Sequence, residues 1–198
     1  MKYQICCDMD GVLCDFVQGA IKIINDRIEN KDFIKNHDPD LYRMIVDAEN
    51  EAGGPVTTDH IRIRSPYKKI RELMTRLVTH NVEFWANLDW IEGGPQIWNA
   101  IKDHDPYILS APMKTSEESM EGKRQWIQNN LKPTPQRIIL ADDKGSYTKF
   151  GDKTGLLIDD MFFNIKDYRD AGGKAIWAKK PKNWQRTIKI LDYWVKKG

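Results

Sequence analysis

The chain is poor in cysteine. Only Cys6, Cys7 and Cys14 carry thiols, an odd number crowded into one stretch. Such a set gives no disulfide framework, and neighbours in a strand point to opposite faces, so they read as small buried hydrophobes in a reducing compartment. A reactive thiol at Cys14 is the alternative. No apolar run approaches the roughly 20 residues that cross a bilayer, and the amino terminus lacks a charged-then-apolar leader. A soluble, cytoplasmic protein with no membrane contact is expected. Charge of one sign is not in excess either, since 31 Lys and Arg stand against 29 Asp and Glu. There is therefore no strong nucleic-acid signal, and any polyanion contact must be local. The histidines, His37, His60, His80 and His104, show no HxxxH spacing, so zinc is not indicated. Repeats and low-complexity tracts are missing too.

What is present begins with Gln4-Ile5-Cys6-Cys7-Asp8-Met9-Asp10-Gly11-Val12-Leu13-Cys14-Asp15-Phe16. An uncharged apolar run reads as a buried strand of a parallel sheet, and this one ends in two carboxylates two residues apart. Their repulsion costs free energy unless a cation or a shared proton offsets it, which predicts Mg²⁺ or proton chemistry. Gly11 lets the chain turn sharply out of the strand.

Val17, Ile21, Ile24 and Ile28 recur at helical spacing, so a helix follows at once. Leu41, Met44, Ile45 and Ala48 support another, stopped by Gly53-Gly54-Pro55. Ser65-Pro66 reads as an N-cap with proline at the first helical position, ahead of the stripe Tyr67, Ile70, Leu73, Met74, Leu77 and Val78. Residues 15–90 thus form a mainly helical cap inserted into a core of 1–14 and 91–198. After Gly93-Gly94-Pro95 an α/β rhythm resumes. Strands are expected at Tyr107-Ile108-Leu109, Arg137-Ile138-Ile139-Leu140, Gly155-Leu156-Leu157-Ile158 and Ala175-Ile176-Trp177. Thr115 and Glu118 have capping-box spacing for the helix running to about Leu131. The fold class is a doubly wound α/β parallel sheet of about five strands, the first strand central.

Polar residues follow four of these strands, and in an open parallel sheet such ends share one edge. Phosphate-ester hydrolysis needs a nucleophile, an acid for the leaving oxygen and positive charge over the transferred group. Asp8 is the candidate nucleophile and Asp10 the acid and base. Mg²⁺ would take Asp8, the backbone carbonyl of Asp10 and Asp159, with Asp160 accepting behind them. Ser110 can donate to a phosphate oxygen. Lys123 falls on the inward stripe of its helix, where a lysine needs an anion. Lys179-Lys180-Pro181-Lys182 and Lys196-Lys197 read as solvated surface, with a local basic patch for nucleic acid as the alternative.

Asp8-Met9-Asp10-Gly11-Val12-Leu13 closing an apolar strand resembles the haloacid dehalogenase (HAD) superfamily of phosphotransferases. With Asp15-Phe16 it is more narrowly similar to the 5′(3′)-deoxyribonucleotidases. Ile108-Leu109-Ser110-Ala111-Pro112-Met113-Lys114, the step from Lys114 to Lys123, Trp126, Asp143-Lys144 and Leu156-Leu157-Ile158-Asp159-Asp160 continue the likeness in order. It covers residues 3–16 and roughly 84–163, with departures at Ala111 and Asp142 that bear on substrate preference. The resemblance implies a HAD-like Rossmannoid core and a cap that recognises the leaving group. It also implies Asp8 as nucleophile, Asp10 as acid and base, Ser110 and Lys123 on phosphate, and Asp159 on magnesium. Phe16 and Trp85 become candidate nucleobase contacts, with Lys114 and Lys144 among the substrate contacts. The expected partner is a small-molecule phosphomonoester, a nucleoside monophosphate by resemblance; a homodimer is left open. The alternatives are a phosphatase of sugar phosphates or polynucleotide ends, and a non-enzymatic phospho-receiver module.

Overall fold

The computed structural model describes residues 2–61, 66–113, 116–179 and 181–197. Its strands are β1 (Tyr3–Cys7), β2 (Tyr107–Ser110), β3 (Arg137–Leu140), β4 (Lys149–Phe150), β5 (Lys153–Asp159) and β6 (Lys174–Trp177). They form one sheet in the order β3-β2-β1-β5-β4, with β6 also paired to β5. All five residues of β1 are buried, as a strand covered on both faces requires. Central β1 lies parallel to β2 and β5, with Cys7 opposite both Ile108 and Ile158. That register brings the carboxyl ends of β1, β2 and β5 to one edge.

The sheet exceeds the expected five strands by β4, a two-residue antiparallel partner for the start of β5. So short a strand carries no periodicity to read.

Between β1 and β2 come α1 (Phe16–Glu29), α2 (Lys31–Ile34), α3 (Pro39–Ala52), α4 (Thr58–Ile61), α5 (Lys68–Val78), α6 (Val82–Ala86) and α7 (Gly94–Ile101). The later helices are α8 (Glu117–Asn130), α9 (Phe162–Asp170) and α10 (Trp184–Lys197). Helix α1 starts where the Asp15 carboxylate accepts from the Gln18 N–H. Helix α3 starts under the same kind of cap from Asp38 and stops at Gly53 in the left-handed region, φ +64°.

Two expected starts are corrected. Helix α5 begins at Lys68 after Tyr67, with no side-chain cap, rather than at Pro66; Ser65 lies outside the described residues. Helix α8 is capped by Ser116, whose hydroxyl accepts from the Ser119 N–H. Thr115, the expected cap, lies outside the described residues.

Alternate residues of β1 serve separate cores. Ile5 and Cys7 join Ile24, Leu73, Trp126 and Ile158 in the larger cluster. Cys6 joins Leu109, Leu157, Ile165 and Tyr168 on the opposite face. Each such fully buried aliphatic contributes about 1.5–3 kcal/mol. All three cysteines are buried, and burial pushes the Cys7 and Cys14 thiols well above the usual range. Such burial opposes the thiolate and screens Cys14 from solvent, which weighs against the reactive-thiol alternative. Among the described residues no helix is long and apolar enough to cross a membrane.

Candidate active site

Asp8 leaves the end of β1 with its N–H still donating to the Ile158 carbonyl at 2.9 Å, so the sheet itself aims the residue. Its Oδ1 accepts from the Met9 N–H at 2.8 Å and lies 2.9 Å from the Lys144 ammonium. The chain then doubles back, with Leu13 and Cys14 donating to the Met9 carbonyl. Gly11 sits in this turn at φ +75°, and a Cβ there would lie 2.5 Å from Asp160 Oδ2. Only glycine suits that position, for conformation and for space alike.

Asp159 ends β5 and is fully buried. Its Oδ1 accepts from the Met161 N–H at 2.7 Å, its Oδ2 from Lys144 at 2.7 Å, and Asn164 on the first turn of α9 donates to both oxygens. The Asp160 carbonyl accepts from the Trp177 indole at 2.8 Å. Asp8, Asp159 and Asp160 each offer an oxygen within 4.8 Å of the others.

Three carboxylates thus face one ammonium, and the imbalance shows in their protonation. Burial first, then the charges of Asp8 and Asp159, pushes Asp160 up to about 8. Burial and Asp8 raise Asp159 to about 6 against the pull of Lys144. Burial works against the Lys144 charge, yet Asp8 and Asp159 outweigh it and hold the ammonium above its ordinary range. A compact, hard oxygen donor set of this kind, short of positive charge, fits a divalent cation.

A second ion pair stands beside the first. Lys123, fully buried on α8, donates to Asp10 Oδ2 at 2.5 Å and to Ser110 Oγ at 3.1 Å. Its ammonium lies 4.8 Å from the centroid of the Trp85 ring. The Cys14 thiol donates to Asp10 Oδ1 at 3.4 Å, so both carboxylate oxygens are engaged. Trp85 is buried, donates its indole N–H to the Val78 carbonyl, and stacks on Phe16 with centroids 5.3 Å apart. Phe16 remains half-buried and lines a cleft of about 510 Å³ with Gly11, Asp160 and Lys182.

The structure therefore brings Asp8, Asp10, Ser110, Lys123, Lys144, Asp159 and Asp160 to one edge of the sheet, with Phe16 and Trp85 beside them. Lys144, expected among the substrate contacts, is 4% exposed, and its ammonium is taken by Asp8 and Asp159. Lys114 lies outside the described residues. Sequence reasoning missed Asn164 and Trp177. Asn164 was accessible in principle, because a position five beyond Asp159 on the opening turn of a helix faces back to the strand end. Trp177 was not, since its contact depends on the pairing of β6 with β5.

No family model matches the chain. Solved structures with a similar fold include a hydrolase from Streptococcus pneumoniae, with a TM-score of 0.50 and 14% identity over 97% of this chain and 100% of that one. A haloacid dehalogenase-like family hydrolase from Xanthomonas campestris gives 0.51 and 14% over 99% of this chain and 94% of that one. A HAD-hydrolase from Bacillus subtilis, bound to magnesium, gives 0.50 and 16% over 89% and 87%. At such identities the likeness is one of fold: the chain has the HAD-like Rossmannoid architecture.

Proposed function

We propose that the protein is a Mg²⁺-dependent phosphomonoester hydrolase that works through an aspartyl-phosphate and acts on nucleoside monophosphates, deoxyribonucleotides first. The observation that carries this reading is the convergence of Asp8, Asp159 and Asp160 within 4.8 Å, next to an Asp10 whose carboxylate is already paired to Lys123. Asp8, Asp159 and Asp160 would hold the ion, with the Asp10 carbonyl as a further oxygen. When bound, Mg²⁺ supplies charge that screens the attacking carboxylate from the phosphate.

The protein's own groups do the rest. Asp8 Oδ1 is fixed by Met9 and Lys144, which leaves Oδ2 to attack phosphorus. As the new O–P bond forms, the ester bond breaks; Asp10, which takes up a proton from solvent once the phosphoryl oxygens draw Lys123 away from it, gives that proton to the leaving oxygen. Asp10 then takes a proton from water, the water oxygen attacks phosphorus, and the Asp8 carboxylate departs. Lys123 and Ser110 face the phosphoryl oxygens from the side of Asp10.

The nucleotide preference is supported by Phe16, which opens α1 at the boundary between the 1–14 and 91–198 core and the 15–90 cap. It presents one ring to the cleft and is backed by Trp85. A panel of monophosphates assayed with and without Mg²⁺ tests the proposal. Metal-dependent, multiple-turnover phosphate release from deoxyribonucleotides is expected. Turnover of a sugar phosphate alone would defeat the nucleotide preference, and a stable phosphoprotein without turnover would replace the enzyme with a receiver.

A further inference from the structure

The basic segment after β6 is not dispersed over the surface. Lys179 lines the 510 Å³ cleft beside Gly11 and Asp160, and it also lines a second recess of about 600 Å³ between β6 and α10. That recess is walled by Arg169, Arg186, Trp177 and Trp194, and no carboxylate lines it. Among the described residues Lys179, Lys182 and Arg186 form no ion pair; Asp15, Glu92 and Asp160 share the first cleft with the two lysines, so it is in the second recess, beside Arg186, that the positive charge stands unopposed.

The segment is also held at both ends. Trp177 is tied to the Asp160 carbonyl, Lys179 lies 4.8 Å over the Trp177 ring, and Ala178 donates to the Asp159 carbonyl. Trp184 packs so tightly on Gly93 that a Cβ there would lie 2.4 Å from it. Phe162, 56% exposed, stands 5.1 Å from Trp177 and widens the aromatic surface. A mononucleotide needs only the first recess. A cationic track running away from it, flanked by the exposed Phe162 ring and by Trp177 with Lys179 over one face, suits a chain of phosphates and stacking bases.

Resting on the phosphatase reading of Asp8, we propose that the recess between β6 and α10 carries the sugar-phosphate chain of a single-stranded oligonucleotide whose terminal phosphate is the group removed. The chain would pass over Lys179, with Arg186 and Arg169 on its phosphodiesters and Trp177 and Phe162 against its bases.

Affinity tests this without depending on turnover. Asp8→Asn protein with Mg²⁺ is titrated with thymidine monophosphate, and with thymidine tetramers phosphorylated at the 5′ or the 3′ end. One of the tetramers should bind at least about tenfold tighter than the monophosphate at low salt, an advantage that shrinks on a log–log salt plot by about 0.7 per phosphate contacted. Lys179→Gln with Arg186→Gln should remove most of that advantage. The salt dependence of the unmodified surface gives an independent reading if the double variant folds poorly. The proposal is overturned if neither tetramer gains, if the gain survives the double variant, or if a tetramer lacking a terminal phosphate binds equally well. It is also overturned if an acidic peptide of equal charge binds as tightly. Should wild-type protein release no phosphate from any ester, the phosphatase reading falls, and that result is separate from the affinity difference.

Discussion

Lys123 and Asp10, 113 positions apart in sequence, form a direct ion pair with Nζ 2.5 Å from Oδ2, and the lysine is fully buried. A buried ammonium needs compensation, and among the described residues this one finds it at the candidate site: Asp10, Ser110 and the face of Trp85. Lys123→Met keeps the length and apolar stem of the side chain while deleting its charge. Turnover of p-nitrophenyl phosphate should fall by about 10²–10³-fold, the scale of losing one donor to developing charge. Equal kcat values for the variant and the parent protein would remove Lys123 from the phosphate-binding role.

Asp8 and Asp10 should differ in how their loss is felt. Asp8→Asn should abolish hydrolysis and leave no acid-precipitable phosphoprotein, while the Met9 N–H still finds an oxygen acceptor and the fold persists. Asp10→Asn should retain the covalent step with an activated leaving group and slow turnover of alkyl phosphates by about 10²–10⁴-fold. Quenched-flow labelling with radioactive phosphate distinguishes the two. Labelling of Asp8→Asn would place the nucleophile elsewhere.

Lys144 has the opposite balance of roles, because its contacts are to carboxylates of the protein. Lys144→Met would leave Asp8, Asp159 and Asp160 crowded without an internal cation. Breaking a buried pair by deleting one partner costs about 3–5 kcal/mol, so a loss of that order is expected in chelator. Mg²⁺ should restore part of it by binding the same oxygens. Urea titrations with and without metal measure both numbers. A loss that Mg²⁺ leaves untouched would separate Lys144 from the metal cluster.

Much of this was legible from the residues alone, and the failures have a common cause. The apolar run of β1 ending in Asp8 and Asp10 marks a strand end with a charge problem, and the carboxyl-edge rule gathers Ser110, Asp159 and Asp160 to it, with Lys144 added by the family resemblance. Inward placement of Lys123 followed from helix phase. What did not follow was which anion each lysine meets, since Lys144 reaches Asp8 and Asp159 through the mutual placement of the β3 and β5 loops. The start of α5 was misplaced because the Ser65-Pro66 signal is local, whereas the first turn of that helix is also held by Glu51 accepting from the Ile70 N–H. Strand β4 exists only by pairing with β5.

The carboxylate cluster makes stability depend on pH and metal together. The Asp160 carboxyl is pushed from 3.8 to about 8, by burial first and by Asp8 and Asp159 next, so across that interval the folded chain keeps a proton that the unfolded chain has released. Stability contributed by a group of this kind is complete below the unfolded value and is lost as pH climbs to the folded one, so metal-free protein should become less stable between about pH 4 and pH 8. Lys144, held above its ordinary range, stays charged throughout that window and does not alter the sign. Mg²⁺ binds the ionised carboxylates and replaces the proton, so the metal's stabilisation should grow over the same interval. Melting temperatures in chelator and in excess Mg²⁺ at several pH values test this directly. The chelator curve should fall with rising pH while the gap to the Mg²⁺ curve widens. A gap of constant width would mean that the metal and the proton do not compete for these oxygens, and the three-carboxylate site would have to be abandoned.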